Sequence, residues 1–374
     1  MRFSFIIFFS FIVFLTHAQD HVHKLGAAIN FPSIPGFLTL KCDFHQHTVF
    51  SDGNVWPSIR VMEALMEGLD AISLTEHLEY QPHKDDIPHP DRNRSYEIAL
   101  KEAKDHQLLI VNGSEITRSM PPGHNNAIFL TNSNSLLVKD PLDAFRQAKT
   151  QGAFIFWNHP NWVSQRKDGI ATLTDFHKQL IREGLLNGIE VVNEHTYSEE
   201  ALQIAIDNNL TIMGTSDIHG IVGWEFGNPT DIHRPVTLVF ASERSQESLK
   251  DALLNHRTVA FFKDLLIGNE KYLLPLLNNM VQVTNASYIP NSTVLKVDFS
   301  NNSSCPVILR KKFDLTLHSD GDIITIPAMS QKSIEIKTGN LLDKLNLQFE
   351  VMNAIFAPQR HPIISWGIKV ADLK

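Results

Sequence analysis

Asp43-Phe44-His45-Gln46-His47-Thr48, followed by Ser51-Asp52-Gly53, gathers two imidazoles and two carboxylates into ten consecutive residues, 43 to 52. In an extended strand alternate side chains share a face, so Asp43, His45 and His47 project together. Two neutral ring nitrogens held that way suit one divalent zinc, manganese or iron ion. Asp52, beside the turn marked by Gly53, can swing back and add a carboxylate. A lone His-x-His pair is weak grounds for a metal, and the weight falls on five further motifs downstream.

Thr75-Glu76-His77, Gly113-Ser114-Glu115, Gly123-His124-Asn125, Asn158-His159-Pro160 and Ser216-Asp217-Ile218-His219 come in that order along the chain. Most end or follow a short apolar run that reads as a strand: Ala71 to Leu74, Leu108 to Val111, Phe154 to Trp157 and Thr211 to Gly214. His124 is the exception, placed on a Pro-Gly loop just before Ala127-Ile128-Phe129-Leu130. Ligand-type residues at the carboxyl ends of successive strands are what a barrel active site requires.

At these motifs, over roughly residues 40 to 265, the chain resembles the PHP family, the phosphoesterases named for polymerase and histidinol phosphatase. The resemblance implies an α/β fold, a distorted (β/α)7 barrel, with two to three divalent transition-metal ions: zinc, manganese or iron. Carried over by motif position, His45, His47, Glu115 and Asp217 would hold a first ion. Glu115 would bridge to a second, completed by His124 and His159. Asp52, His77 and His219 would hold a third. Glu76 stands where the family more often has Asp. Within the family the chain is most similar to an exported branch described as phosphodiesterases, which implies a hydroxide shared by two ions as the nucleophile.

Other residues near the motifs carry two readings each. Arg118, three residues after Glu115, can fork onto phosphate oxygens or make a surface ion pair. His195, after the strand Gly188 to Val192, can protonate a leaving group or serve the structure. Trp157, Trp162 and Trp224 flank motif loops and can wall an apolar pocket or pack. Asp43 is expected to orient a ligand or a backbone group from behind the site. Asp168-Gly169 and Asn228-Pro229 read as turns.

Met1 to Ala18 has the pattern of a secretory signal: Arg2, an apolar run from Phe5 to Leu15, then the small residue Ala18. The run is short of the roughly 20 residues that span a bilayer, so export is expected and a stable membrane anchor is not. The 374 residues carry a formal charge of −8, which becomes −9 once Arg2 is removed. An acidic chain without a basic run is poorly suited to a nucleic-acid polymer, whose phosphates demand Lys and Arg. The expected partner is a small-molecule phosphate ester. Cys42 and Cys305 are expected to stay unpaired, and alternation turns Cys42 away from the histidines.

Helical spacing predicts helices over Pro57 to Glu67, Asn93 to His106, Pro141 to Gln151, Thr174 to Glu183, Ser198 to Asn208 and Ser245 to His256. Strands are expected at Gly188 to Val192, Val236 to Phe240 and Thr258 to Phe262, giving a mainly parallel sheet or barrel. Beyond Gly268 the pattern changes. Leu273 to Leu277 reads as a short helix or linker, and short alternating runs from Thr293 to Val351 predict a C-terminal all-β sandwich-like domain over residues 278–374. That domain holds no clustered ligand-type residues and can support packing or a homodimer contact.

Together these features predict an exported metal-dependent phosphoric ester hydrolase, diesters ahead of monoesters. An amidohydrolase-like enzyme acting on a C–N or lactone bond is the alternative, since it shares the His-x-His barrel. Those enzymes usually bridge their metals with a lysine, whereas Glu115 holds that position here. A non-catalytic metal-binding module is a third reading, weakened because all nine ligand positions are filled. No Gly-x-Ser-x-Gly, P-loop or Gly-x-Gly-x-x-Gly occurs.

Overall fold

The structure is a computed structural model and describes residues 28–87, 89–227 and 233–370. The expected signal at residues 1–18 and the turn at Asn228-Pro229 lie outside them. Strand and helix alternate from β1 (Leu38–Asp43), α1 (Pro57–Met66), β2 (Ala71–Leu74), α2 (Arg94–Glu102) and β3 (Leu109–Thr117) onward. Next come β4 (His124–Ile128), α3 (Pro141–Thr150), β5 (Phe154–Trp157), α4 (Asp175–Arg182), β6 (Gly188–Asn193), β7 (Thr196–Tyr197) and α5 (Glu199–Asp207). The barrel region ends with β8 (Thr211–Thr215), α6 (Val222–Glu225), β9 (Val236–Ala241), α7 (Gln246–Leu254), β10 (Thr258–Phe262), β11 (Leu265–Gly268) and α8 (Glu270–Met280).

Three helices begin where side-chain caps predict, with Thr174, Ser198 and Ser245 each accepting a first-turn backbone N–H. The helix α1 opens on Pro57, whose missing N–H costs nothing in the first turn. Pro57, Arg60, Val61 and Ala64 face inward and Met62 is left exposed. Arg60 is drawn in because its guanidinium donates to His47 O at 3.0 Å and Ile218 O at 3.1 Å.

The sheet is mixed rather than mainly parallel. β1, β2 and β3 run parallel, as do β5, β6 and β8, but β4 pairs antiparallel with both β3 and β5. β9 and β10 also pair antiparallel, β9 against β1 and β10 against β9. β8 meets β9 and β10 through hydroxyls instead of a ladder: Thr237 Oγ1 bonds the N–H and carbonyl of Gly214, and Thr258 Oγ1 donates to Ile212 O at 2.8 Å. Gly214 is required there, because a Cβ would sit 2.8 Å from that of Ala260. This distorted α/β barrel is the fold that the motifs imply.

Strand parity then sorts the side chains. Leu40, Cys42 and Phe44 join Val111, Phe154, Phe156 and Met213 in one apolar core, while Asp43, His45 and His47 take the opposite phase. Cys42 and Cys305 are both buried and unpaired.

From α8 the chain enters an all-β sandwich. β12 (Val281–Tyr288), β13 (Val294–Asn301), β17 (Gln331–Lys337) and β15 (Thr316–Leu317) form one sheet. β16 (Ile323–Ile326), β14 (Val307–Lys311), β18 (Lys344–Val351) and β20 (Ile363–Lys369) form the other. Alternate residues such as Leu295, Val297 and Phe299 fill the space between them. β12 and β20 have no counterpart among the expected strands. β19 (Ala354–Ile355) leaves the sandwich and pairs parallel with β11 of the barrel sheet. Asn353 anchors that crossing, its Nδ2 donating to Asp264 O at 2.6 Å and Pro306 O at 2.8 Å.

Candidate metal centre

The nine expected ligands converge at one end of the barrel. His45 and His47 follow β1, His77 follows β2, Glu115 lies in β3, and His124 opens β4. His159, Asp217 and His219 follow β5 and β8. Asp52 is carried in by the turn after β1, which Gly53 permits: a Cβ there would stand 2.6 Å from the carbonyl carbon of His47.

Three groups of potential ligand atoms form within this cluster: His45, His47 and Asp217; His77, Glu115 and His124; and His47, Asp52, His77 and His219. His45 Nε2 lies 3.0 Å and His47 Nε2 3.1 Å from Asp217 Oδ1, and the two nitrogens are 3.1 Å apart. Asp52 reaches His77 Nε2 at 3.3 Å and His219 Nε2 at 3.2 Å. Glu115 touches His77 Nδ1, His124 Nδ1 at 3.0 Å and His159 Nε2 at 3.6 Å. His159 thus joins Glu115 and Asp217 at longer range, 3.9 Å from Asp217 Oδ2.

These contacts are not ordinary hydrogen bonds. Asp52 Oδ1, His124 Nδ1, His159 Nδ1 and Asp217 Oδ1 are buried without an aligned hydrogen-bond partner. Buried polar atoms are normally satisfied, so such a concentration points to something that accepts lone pairs. Metal–nitrogen bonds of about 2.0–2.1 Å in tetrahedral geometry set neighbouring ligands roughly 3.3 Å apart, which matches the spacings at Asp217 and Asp52. The residues fit divalent cations.

A second ring of side chains aims the first. His45 Nδ1 meets Glu190 Oε1 at 2.7 Å, leaving Nε2 for the site. Glu190 also accepts from Thr215 Oγ1 at 2.6 Å, His159 N–H at 2.7 Å and Asn193 Nδ2 at 2.9 Å. His47 Nδ1 meets Ser51 Oγ at 3.2 Å, and that hydroxyl donates to Glu76 at 2.6 Å. Asn158 Nδ2 donates to Glu115 Oε1 at 2.8 Å. Asp43 Oδ1 accepts the backbone N–H of Ser216 at 3.1 Å and Asp43 Oδ2 pairs with buried Arg234 at 3.1 Å, so it orients backbone from behind the site.

Without cations the cluster is charged unevenly. Burial opposes a charge on His77, but the Glu115 carboxylate and the Asp52 bond outweigh it and lift the imidazole to about 11. Burial likewise opposes charge on His219, yet the Asp52 bond and Asp217 raise it to about 9. His47 goes the other way, to about 3, through burial and the charges of His219 and His77. Burial would raise Glu115, but His77 and His124 hold it well below the usual carboxylate range.

The cleft above these residues holds about 150 Å³. Trp162, Asn193 and Glu194 line it together with Asp52, His77, His124, His159, Asp217 and His219. Arg118 is not brought there. Its guanidinium pairs with Glu79 at 2.8 Å and donates to Val138 O at 2.7 Å, so the ion-pair reading replaces the phosphate reading. His195 is also outside: it is exposed and lies against Phe226, with ring centroids 4.8 Å apart. Trp157 is in the core, stacked on His177, and Trp224 is 83% exposed on α6. Trp162 alone of the three lines the cleft, edge-on to His159 at 5.1 Å.

Glu190, Arg60 and Arg234 escaped the sequence reading. Glu190 left one trace, a single acid inside the apolar run Gly188 to Val192. The arginines left none, because what holds them inward is backbone and carboxylate from remote segments. A larger hollow of about 250 Å³ includes His256, but both its ring nitrogens are taken by Thr211 and Asn209.

Comparison with known proteins bears on this geometry. A two-domain protein from Bacteroides vulgatus containing a predicted PHP-like metal-dependent phosphoesterase has a crystal structure that superposes with a TM-score of 0.85. It is 42% identical and the match covers 92% of this chain and 99% of that one. This chain belongs to the PHP-like metal-dependent phosphoesterase family. The PHP-like barrel is followed by a match to an Ig-like domain model over residues 281–367. An uncharacterised protein of Methanocaldococcus jannaschii is 33% identical over 85 residues, 22% of this chain and 36% of that protein. This PHP-like chain therefore spans little more than a third of that curated relative.

Proposed function

We propose that the protein is a metal-dependent phosphoesterase that favours phosphodiesters. The observation that carries the finer part is the lining of the cleft: among its described residues none is Lys or Arg. A monoester brings close to two negative charges at neutral pH and a diester one. A cleft with no cationic side chain suits the lesser charge, and Trp162 offers a face for an esterified organic group.

His45, His47, Asp217, Glu115, His124, His159, Asp52, His77 and His219 would hold the ions. Divalent ions in such a cluster neutralise phosphate oxygens and bring the pKa of water down towards about 7, which is the chemistry the reaction needs. The chain's own contribution is orientation. Glu190 fixes His45, the Ser51–Glu76 pair fixes His47, and Asn158 fixes Glu115. Arg60 ties the backbone of His47 to that of Ile218, so both halves of the ligand set keep one spacing. The cleft lining also lacks lysine among its described residues, which leaves the amidohydrolase reading without its usual bridge.

The test compares kcat/KM for bis(p-nitrophenyl) phosphate and p-nitrophenyl phosphate at equal metal loading. A diester preference is expected. A tenfold monoester preference, about 1.4 kcal/mol in the barrier, would overturn it. We also propose export, supported by the apolar leader and the small residue at Ala18. Fractionation of expressing cells, with N-terminal sequencing of the product, checks that.

A further inference from the structure

We propose that Glu194 protonates the leaving oxygen of the ester, an assignment that rests on the phosphoesterase reading above. Glu194 occupies the turn between β6 and β7 and lines the cleft beside Trp162 and Asn193. Its backbone is left-handed, at φ 48°, and its N–H donates to Thr215 O at 3.2 Å. A non-glycine residue adopts that conformation at a cost, and such residues collect at functional sites. His159 and Asp217 share the feature, at φ 29° and 51°, as do residues of distant loops such as Asn291 and Met329, so the conformation fixes the turn without marking the site.

The turn is therefore fixed, while the side chain is not engaged. No hydrogen bond or ion pair is made by the Glu194 carboxyl among the described residues, although Asp52 and Asp217 are each held by two or more imidazoles. The histidines of the cleft cannot serve as the donor, because nitrogens that coordinate a cation carry no proton. Trp162 and Asn193 have no acidic proton to give. By elimination Glu194 is the one lining group able to carry a proton to an oxygen in the cleft. Glu194 is exposed while it lines the cleft, so its carboxyl can exchange its proton with solvent between turnovers.

In the step, water adds to phosphorus, and the bond from phosphorus to the leaving oxygen breaks with its electron pair on that oxygen. The Glu194 proton passes to it and an alcohol departs. The proton released by the attacking water restores the carboxyl, so a diester and water give a monoester and an alcohol, with nothing oxidised or reduced.

A series of diaryl phosphates with phenyl, p-chlorophenyl and p-nitrophenyl groups tests the assignment on the metal-loaded full chain. In Glu194→Gln, kcat/KM for the diphenyl ester should fall 10²-fold or more, as loss of a general acid does, while the p-nitrophenyl ester loses less than about tenfold. The alkaline limb of the pH profile should flatten. Metal content and melting temperature should match the parent, and Glu194→Asp, which keeps a carboxyl, should restore the parent's leaving-group dependence. Equal loss across the series, no loss at all, or an aspartate variant that behaves like the glutamine one would overturn the assignment. A parent enzyme inert to every member would overturn the phosphoesterase reading and this one with it.

Discussion

The carboxylate of Glu190 holds His45 Nδ1 at 2.7 Å and so turns Nε2 toward Asp217. Partners of this kind set ligand tautomer and direction, and removing one typically costs 10–100-fold in metal affinity or activity. Glu190→Gln should therefore weaken the tightest ion by about that factor, with the fold intact by circular dichroism. Competition against a chromophoric chelator measures it, and an unchanged affinity would refute the role.

Arg234 is fully buried between two carboxylates, 3.1 Å from Asp43 and 2.8 Å by Nε from Glu67. Replacing it with methionine leaves both acids without their cation. Breaking a buried pair from one side costs about 3–5 kcal/mol, and urea denaturation of Arg234→Met should show a loss of that size. A loss under about 1 kcal/mol would mean that the acids are held by other donors.

Most of the cluster could be read from the sequence because His45, His47, His77, His159, Asp217 and His219 follow strands, and strand parity is a local property of a few residues. His45 and His47 face the site while Cys42 and Phe44 face the core, as alternation requires. The antiparallel course of β4, β9 and β10 left no such trace, since an apolar run reads the same in either direction. Arg118 and His195 failed for a related reason. Proximity in sequence to Glu115 or β6 says nothing about Glu79 or Phe226, which claim those side chains from elsewhere.

Arg118→Ala is expected to leave kcat/KM for diesters and monoesters within about threefold of the parent, because its guanidinium is spent on Glu79 and backbone carbonyls. A larger loss confined to monoesters would return Arg118 to the phosphoryl group.

Stripping the metals should change the pH dependence of stability. In the free cluster His219 and His77 titrate at about 9 and about 11 when folded, against about 6.5 unfolded. A pKa raised by folding contributes stability in full below the unfolded value and loses it as pH climbs through the folded one. The chelated protein should thus melt progressively lower from pH 7 to 10. His47, depressed to about 3, acts in the opposite sense and adds stability only as pH rises from about 3 to 6.5. In the loaded protein cations replace those protons, so melting temperature should be nearly flat over the alkaline range. Parallel curves with and without chelator would sink this account.

Chelation should abolish turnover, and Glu115→Gln should retain at least one ion fewer than the parent by elemental analysis. Glu115 is in reach of His77, His124 and His159, so losing its charge disturbs more than one position. Full metal content in that variant would show that the carboxylate is not a ligand.

The short pairing of β19 with β11 has a bearing on how the chain can be divided. Ala354 and Ile355 lie far along the chain from the end of the last barrel helix at Met280, yet they hem the free border of its sheet. A gene cut after Met280 would encode a barrel with Leu265–Gly268 left as a raw selvage, open to the next molecule's strand. It would also strip Asp264 O of the amide that caps it. The C-terminal domain thus closes the barrel's edge, and a barrel made alone would need another cover for it.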